Sequence, residues 1–433
     1  MRPPFTFIFV RQSFGFGALV LCAGFTGPAQ ASGFIDDTTA NIESRTVYFN
    51  RDFRDGHTSN EQGASKREES AQGFILNLQS GFTEGTLGLG VDALGMAGFK
   101  LDSSPDSSNS GLLPSSGSNP RGSADEYTKL GLTAKVRVSQ SILKYGALLP
   151  DVPLLKYNDG RLLPTMFNGA MLTSREVKDL NVMAARLDKY TARHSTDSQH
   201  IRVHCKNKRY ACNITADHFD MYGFDYKIND RLTGQYHYAE LEDIYRQHFL
   251  GLLANQPLAG GVLKADLRLL KSADSGEARA GSIDNRALST LLAYAISGHT
   301  FSAGWQRMNG DNSMPYLDGS NPYLVNYVQV NDFAAAQERS WQLRYDYDFK
   351  AIGLNGLTFL TRYVNGDHIK VPGSDQEGKE WERDSELKYV VQGGTFKDVS
   401  LRLRNATYRS NYAQYARDVD ETRVIVSYNF SVL

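Results

Sequence analysis

Arg402 and Arg404, two residues apart, carry the clearest capacity for chemistry in this 433-residue chain. They sit in the stretch 399–404, where Val399, Leu401 and Leu403 take the opposite face. Side chains i and i+2 of a strand share one face, about 7 Å apart, so the two guanidiniums stand side by side. Two neighbouring stretches alternate in the same way. In 385–392, Leu387, Tyr389 and Val391 oppose Glu386, Lys388 and Gln392; in 422–430, Val424, Val426, Tyr428 and Phe430 oppose Arg423, Ser427 and Asn429. Such a row can take over the hydration of an anion, and the planar guanidinium fork suits a carboxylate. In a membrane sheet, an arginine facing lipid at mid-depth would cost about 2–4 kcal/mol. The cationic face must then line a wet interior.

The elements that would hold this row recur along the chain. From residue 44 onward, segments of about ten residues alternate between apolar and polar and are separated by turn or loop signals. Residues 74–78, 87–92, 130–138, 300–305 and 357–363 follow the pattern, and 341–349 is the cleanest case. There Trp341, Leu343, Tyr345, Tyr347 and Phe349 oppose Gln342, Arg344, Asp346 and Asp348. A soluble sandwich would alternate too, but no helical segments are available to cover so many apolar faces, and the polar faces cluster like charges. The fold expected is all-β: a transmembrane antiparallel barrel of 16–20 strands by spacing. Near-equal counts of 47 basic and 48 acidic residues argue against a nucleic-acid binder.

The first 31 residues read as an export signal, with Arg2 and Arg11, an apolar core over 14–25 and the cleavage site Ala29-Gln-Ala31. Lipidation at Cys22 is the rival reading, opposed by the bulk of Leu21. Residues 32–433 form a single barrel domain on this reading. No later apolar run reaches the ~18 residues a membrane helix needs. Residues 101–125 are expected as a polar outer loop, 310–331 as a second long loop and 370–384 as a third, polar one. Residues 146–168 are unusually apolar for a loop, with Leu154, Leu155, Leu162 and Leu163, and are expected to fold inward and narrow the pore. Cys205 and Cys212 are expected to form a disulfide in an oxidising compartment; a metal site with His200 and His204 is the weaker alternative.

The order of several short motifs resembles the OprD family of bacterial outer-membrane porins. They include Gly33-Phe-Ile-Asp-Asp37, Tyr48-Phe-Asn-Arg-Asp52, Gln72-Gly-Phe74, Gly81-Phe-Thr-Glu-Gly-Thr86, Ala134-Lys-Val-Arg-Val-Ser139, Arg362-Tyr-Val-Asn-Gly366 and Arg423-Val-Ile-Val-Ser-Tyr428. The resemblance covers nearly all of 32–433. It implies an outer-membrane barrel of about 18 strands, inward loops that narrow the pore, and a ladder of basic residues down one wall. It also implies uptake of small carboxylate-bearing molecules. Matched residue by residue, the ladder is Arg51, Arg67, Arg137, Lys388, Arg402, Arg404 and Arg423. Asp332 is the matching acid of the constriction, with Asp318 the weaker candidate. The sequence departs from a basic-amino-acid channel at Val330, where a tyrosine is expected, and at Tyr327, where a small hydroxyl residue is expected. The expected partners are carboxylate solutes, outer-membrane lipid and the barrel assembly machinery, which would read Phe430 because the chain ends on Leu433. A monomer or loose homotrimer is expected, with no cofactor and no metal.

Other functions find less support. Each ladder arginine could instead pair with a lumen acid such as Glu386 or Asp346, and Arg67, Arg344 and Arg362 suit that role equally well. A barrel hydrolase needs a nucleophile beside a histidine, yet His218, His237, His248, His299 and His368 are scattered. A plugged receptor needs a further N-terminal domain. A general porin needs no asymmetric ladder.

Overall fold

The computed structural model describes residues 33–54, 65–116, 122–412 and 415–433; the expected export signal lies outside them. Eighteen strands close into an antiparallel barrel. In chain order they begin with β1 (Thr39–Phe53), β2 (Lys66–Gln79), β3 (Leu87–Ser103), β4 (Glu126–Val138) and β5 (Ser141–Leu148). Two short strands, β6 (Asp151–Val152) and β7 (Leu155–Tyr157), lie in a loop before β8 (Met166–Ser174) and β9 (Leu180–Thr191). Two more, β10 (Ser198–Arg202) and β11 (Thr215–Ala216), precede β12 (Phe219–Asn229), β13 (Leu232–Leu241), β14 (Tyr245–Leu258), β15 (Gly261–Asp274), β16 (Asp284–Ile296) and β17 (His299–Asn309). After the short β18 (Ser320–Asn321) come β19 (Arg339–Asp348), β20 (Leu357–Lys370), β21 (Glu377–Val390), β22 (Ser400–Ser410) and β23 (Val419–Ser431). β1 closes on β23 in a register running from Asn41 opposite Ser431 to Phe53 opposite Val419. Closure leaves no unpaired sheet edge, which a wall immersed in lipid requires.

The connections at the two ends differ. One end carries short turns. Ala259-Gly260 and Ser297-Gly298 take positive φ at both central positions, the backbone that suits a two-residue hairpin between right-twisted strands. The other end carries the long loops. Along the wall, side chains alternate between lipid and lumen: Leu401 and Leu403 are 46% and 48% exposed, whereas Arg404 is 3% exposed. Among the described residues no helix is long and apolar enough to cross a membrane.

Some sequence boundaries change. Residues 377–384 belong to β21, not to the expected polar loop; Glu380, Glu382 and Asp384 face inward, so this half-strand lacks the apolar signal of its neighbours. Phe349 lies in a 3-10 turn rather than in the preceding strand. The loop after β3 was expected to stay outside, but Leu112 and Leu113 are buried with Leu162 and Leu163 against Val47 and Phe49. Two adjacent leucines cannot be solvated cheaply, and the serines around them anchor the excursion, with the Ser110 amide donating to Glu69 at 2.8 Å.

The loop 149–165 does fold into the barrel. Its departure is built by Gly146 and Gly169, opposite each other on β5 and β8. They take φ of +133° and +152°, and a Cβ on either would lie 2.1 Å from a backbone carbonyl oxygen. Only glycine allows this approach. Inside, β6, β7 and β18 form a small three-stranded sheet, which joins this loop to the loop 310–338. Arg45 of β1 holds the first loop from the wall: it donates to Asp159 at 2.6 and 3.0 Å and to Glu43 at 2.9 and 3.0 Å.

Candidate functional site

Register brings the predicted cations of β21, β22, β23, β1 and β2 into one rising row. Lys388 stands directly opposite Arg402, Arg404 opposite Arg423 and Arg51 opposite Arg67. The first pair lies nearest the short-turn end and the last nearest the long loops. Directly opposed like charges destabilise a strand pair unless something compensates them. Two carboxylates interleave with the row. Glu386 lies 3.5 Å from Arg402 Nε and 3.0 Å from Arg404 Nε. Glu421 accepts from Arg51 Nε and from Arg423 Nε, each at 2.7 Å. Each carboxylate therefore faces two guanidiniums, and each trio remains net positive.

Arg423 has a second role that the strand pattern alone does not reveal. Its guanidinium donates to the Gly160 carbonyl at 3.0 Å and to the Gln329 carbonyl at 3.4 Å, one from each inward loop. Gln329 returns a bond to Glu421 at 3.0 Å. The ladder and the constriction are thus fastened to each other at this point.

Arg137 does not join the row. It lies near the turn end of β4, with its guanidinium 4.4 Å from the centroid of the Phe82 ring, three strands from β1. On the lumen face of the far wall, two arginines have an acid of their own: Arg268 bonds Asp266 at 2.9 Å and Arg344 bonds Asp346 at 2.7 Å. The asymmetry between shared and private carboxylates distinguishes the two walls.

The lumen holds a cavity of about 1930 Å³ that runs from the short-turn end, at Thr39 and Ala295, up to both inward loops, and is bordered by Arg51, Arg404 and Arg423. Sequence reasoning missed two further cations on its surface, Arg161 and Arg193. Arg161 donates to the carbonyls of Ser110 and Gly160 at 2.9 and 2.8 Å and lies 4.7 Å from the centroid of the Phe49 ring. Arg193 donates to the Asn158 side chain at 2.9 Å. Burial, with Arg423 and Arg193 nearby, pushes the Arg161 pKa well down; burial also lowers that of Arg193. A guanidinium held by neutral acceptors gains most from an incoming anion. Both residues lie in loops without period-two alternation, so no pattern marked them.

The two candidate acids of the constriction are already engaged. Asp332 is buried at the cavity edge, where Arg209 lies at 2.8 Å and the Tyr316 hydroxyl at 2.9 Å. Asp318 binds Arg202 at 2.7 Å, His204 at 2.8 Å and Tyr190 at 2.7 Å, and it does not border the cavity. Burial disfavours both charges, but these cationic and hydroxyl partners outweigh it and hold both carboxyls well below the usual range. Both carboxylates are thus already partnered, Asp332 within the cavity lining and Asp318 outside it. Cys205 and Cys212 are joined by a disulfide that closes the turn presenting Lys206 and Arg209. Lys206 donates to the Val330 carbonyl at 3.1 Å and to Asn331 at 2.9 Å. The disulfide-closed turn thus braces the loop 310–338 at Val330, beside the Gln329 carbonyl that Arg423 holds. Among the described residues no cluster of histidine, cysteine and carboxylate could hold a metal ion.

The profile of the family described as "outer membrane porin, OprD family" matches residues 32–432. The chain belongs to the OprD family of outer-membrane porins. It is 37% identical to Porin D of Pseudomonas aeruginosa over 431 residues, which is 94% of this chain and 93% of that protein. Among solved structures, Pseudomonas aeruginosa OccK9 (OpdG) is 44% identical with a TM-score of 0.87, covering 93% of this chain and all of that one. Pseudomonas aeruginosa OpdK, solved with vanillate, is 40% identical with a TM-score of 0.85, covering 92% of this chain and 100% of its own. The closed barrel of this OprD-family porin therefore has solved counterparts.

Proposed function

We propose that this porin conducts small carboxylate-bearing molecules, aromatic or aliphatic acids or amino acids, passively down their gradient along the row Lys388–Arg402–Arg404–Arg423–Arg51–Arg67. The observation that carries the reading is the three like-charged cross-strand pairs in one rising register, sharing Glu386 and Glu421. A carboxylate leaving water exchanges its hydration for guanidinium forks. The shared acids compete with it at each step, so no site holds it too strongly to release. Arg161 and Arg193 supply cations where the loops narrow the pore. The solved OpdK–vanillate structure supports an aromatic acid as one member of the substrate class. The occupied state of Asp332 and Asp318 argues for a requirement at the carboxylate rather than at an amine.

A general porin is the competing account. Liposomes carrying the purified protein separate the two when offered a panel of labelled acids. Removal of both Arg402 and Arg404 as alanines is expected to lower acid uptake at least fivefold and to leave neutral sugars unchanged. Unchanged uptake of every acid would overturn the proposal.

A further inference from the structure

The outer wall carries a second cationic cluster, separate from the lumen. Arg246 of β14, Lys271 of β15, Arg286 of β16, Arg307 of β17 and Arg339 of β19 all lie on the lipid-facing side and are exposed. All five sit at the end of the barrel that carries the long loops, Arg246 beside a three-residue connection. Lys271 is directly opposite Arg286, and Arg307 is directly opposite Arg339. Directly opposed side chains have Cβ atoms about 5 Å apart, and like charges there repel. Among the described residues none of the five forms an ion pair or a side-chain hydrogen bond. An acid faces the row at each end: Glu240 is directly opposite Arg246 and accepts from Tyr238 and Ser275, and Asp367 is directly opposite Arg339 and is bonded to His368 at 2.5 Å. Asp284 lies two residues from Arg286 at the edge of β16, so the two central pairs remain the cationic part of the row.

The surface just below is apolar and aromatic. Trp305 and Trp341 are directly opposite each other, two residues from the Arg307–Arg339 pair toward the barrel middle. Leu269 and Leu288, also directly opposite, take the same place beneath Lys271 and Arg286. Tryptophans in such a position mark the headgroup boundary, so the cations lie at headgroup height on the long-loop side, which faces outward in such barrels.

We propose that this cluster binds a phosphorylated glycolipid of the outer leaflet. Phosphate oxygens would bridge the two opposed cation pairs, and acyl chains would lie along the leucine and tryptophan surface below. Charge complementarity fixes the choice. Two pairs about one strand spacing apart suit a headgroup with more than one phosphate, and guanidinium forks match phosphate oxygens bidentately. A zwitterionic lipid offers one phosphate already balanced by its own cation.

The test is native mass spectrometry of the whole porin in detergent, titrated with bis-phosphorylated lipid A, its dephosphorylated form and phosphatidylglycerol. The wild type is expected to retain bis-phosphorylated lipid A at least tenfold more strongly than the other two. The double variant Arg307→Gln/Arg339→Gln is expected to lose that preference. Lys178→Gln/Lys397→Gln, which removes two exposed charges at the short-turn end, is expected to keep it. Both variants should retain wild-type conductance, since none of these residues borders the pore, and that conductance certifies folding. Equal retention by Arg307→Gln/Arg339→Gln and wild type would overturn the proposal, as would phosphatidylglycerol binding as tightly as lipid A.

Discussion

At the scale of single residues, the row is defined by unequal pairing rather than by its arginines alone. Glu421 is fully buried and serves Arg51 and Arg423 at once. Glu421→Gln removes the competing charge from two cations and is expected to raise the anion-to-cation permeability ratio at least twofold, read as a reversal-potential shift under a salt gradient. The same change is expected to slow carboxylate flux, because release weakens as binding tightens. Arg161→Gln removes a cation from the constriction and should lower carboxylate flux, with a stability loss of about 1 kcal/mol from its bonds to the Ser110 and Gly160 carbonyls. Period-two alternation made Lys388, Arg402, Arg404 and Arg423 legible before the fold was known. It could not reveal Arg161 or Arg193, whose positions depend on loop paths. The family resemblance placed Arg137 with the others, but a cation on the correct face of a strand says nothing about which strand neighbours which.

At the scale of elements, the two inward loops share three fastenings: Arg45 to Asp159, Arg423 to both loop backbones, and the disulfide-closed turn to Asp332. Asp159→Ala leaves Arg45 with Glu43 alone. Removing one partner of a buried ion pair costs about 3 kcal/mol, here taken largely from docking of the loop 149–165. Single-channel conductance is expected to rise by half or more, with flicker between levels. Replacing Cys205 and Cys212 by serine should instead broaden the open-channel noise with the mean conductance little changed, since Arg209 keeps its bond to Asp332. The inward turn of 149–165 was legible because its leucines had nowhere else to go. The burial of Leu112 and Leu113 was hidden by the serines, glycines and aspartates around them. β21 was cut short because its loop-side half alternates between outward and inward charges, and period-two alternation of hydrophobicity vanishes when both faces are polar.

At the scale of the whole molecule, the barrel separates three environments: an apolar belt, a cationic outer rim on one side, and a lumen charged unevenly around its circumference. Asp332 and Asp318 tie the loops together within that lumen, and their carboxyls titrate below the unfolded value of about 3.9. The stabilisation from a depressed carboxyl is complete above the unfolded pKa and is lost as pH falls through the folded one. The hold of these two carboxyls on the loops should therefore stay constant between about pH 7 and about pH 5 and be lost only in stronger acid, read as the pH at which Asp332→Asn and Asp318→Asn variants and the wild type converge in conductance. The central claim, that the row recognises a carboxylate rather than simply admitting small solutes, is tested most directly by one flux ratio. Uptake of an aromatic acid and of its primary amide, matched in size and shape, is measured in the same liposomes for the wild type and for Arg402→Ala/Arg404→Ala. The acid is expected to enter at least tenfold faster than the amide through the wild type, and the variant is expected to bring the ratio close to one. A wild-type ratio near one, or a high ratio that survives in the variant, would contradict the account.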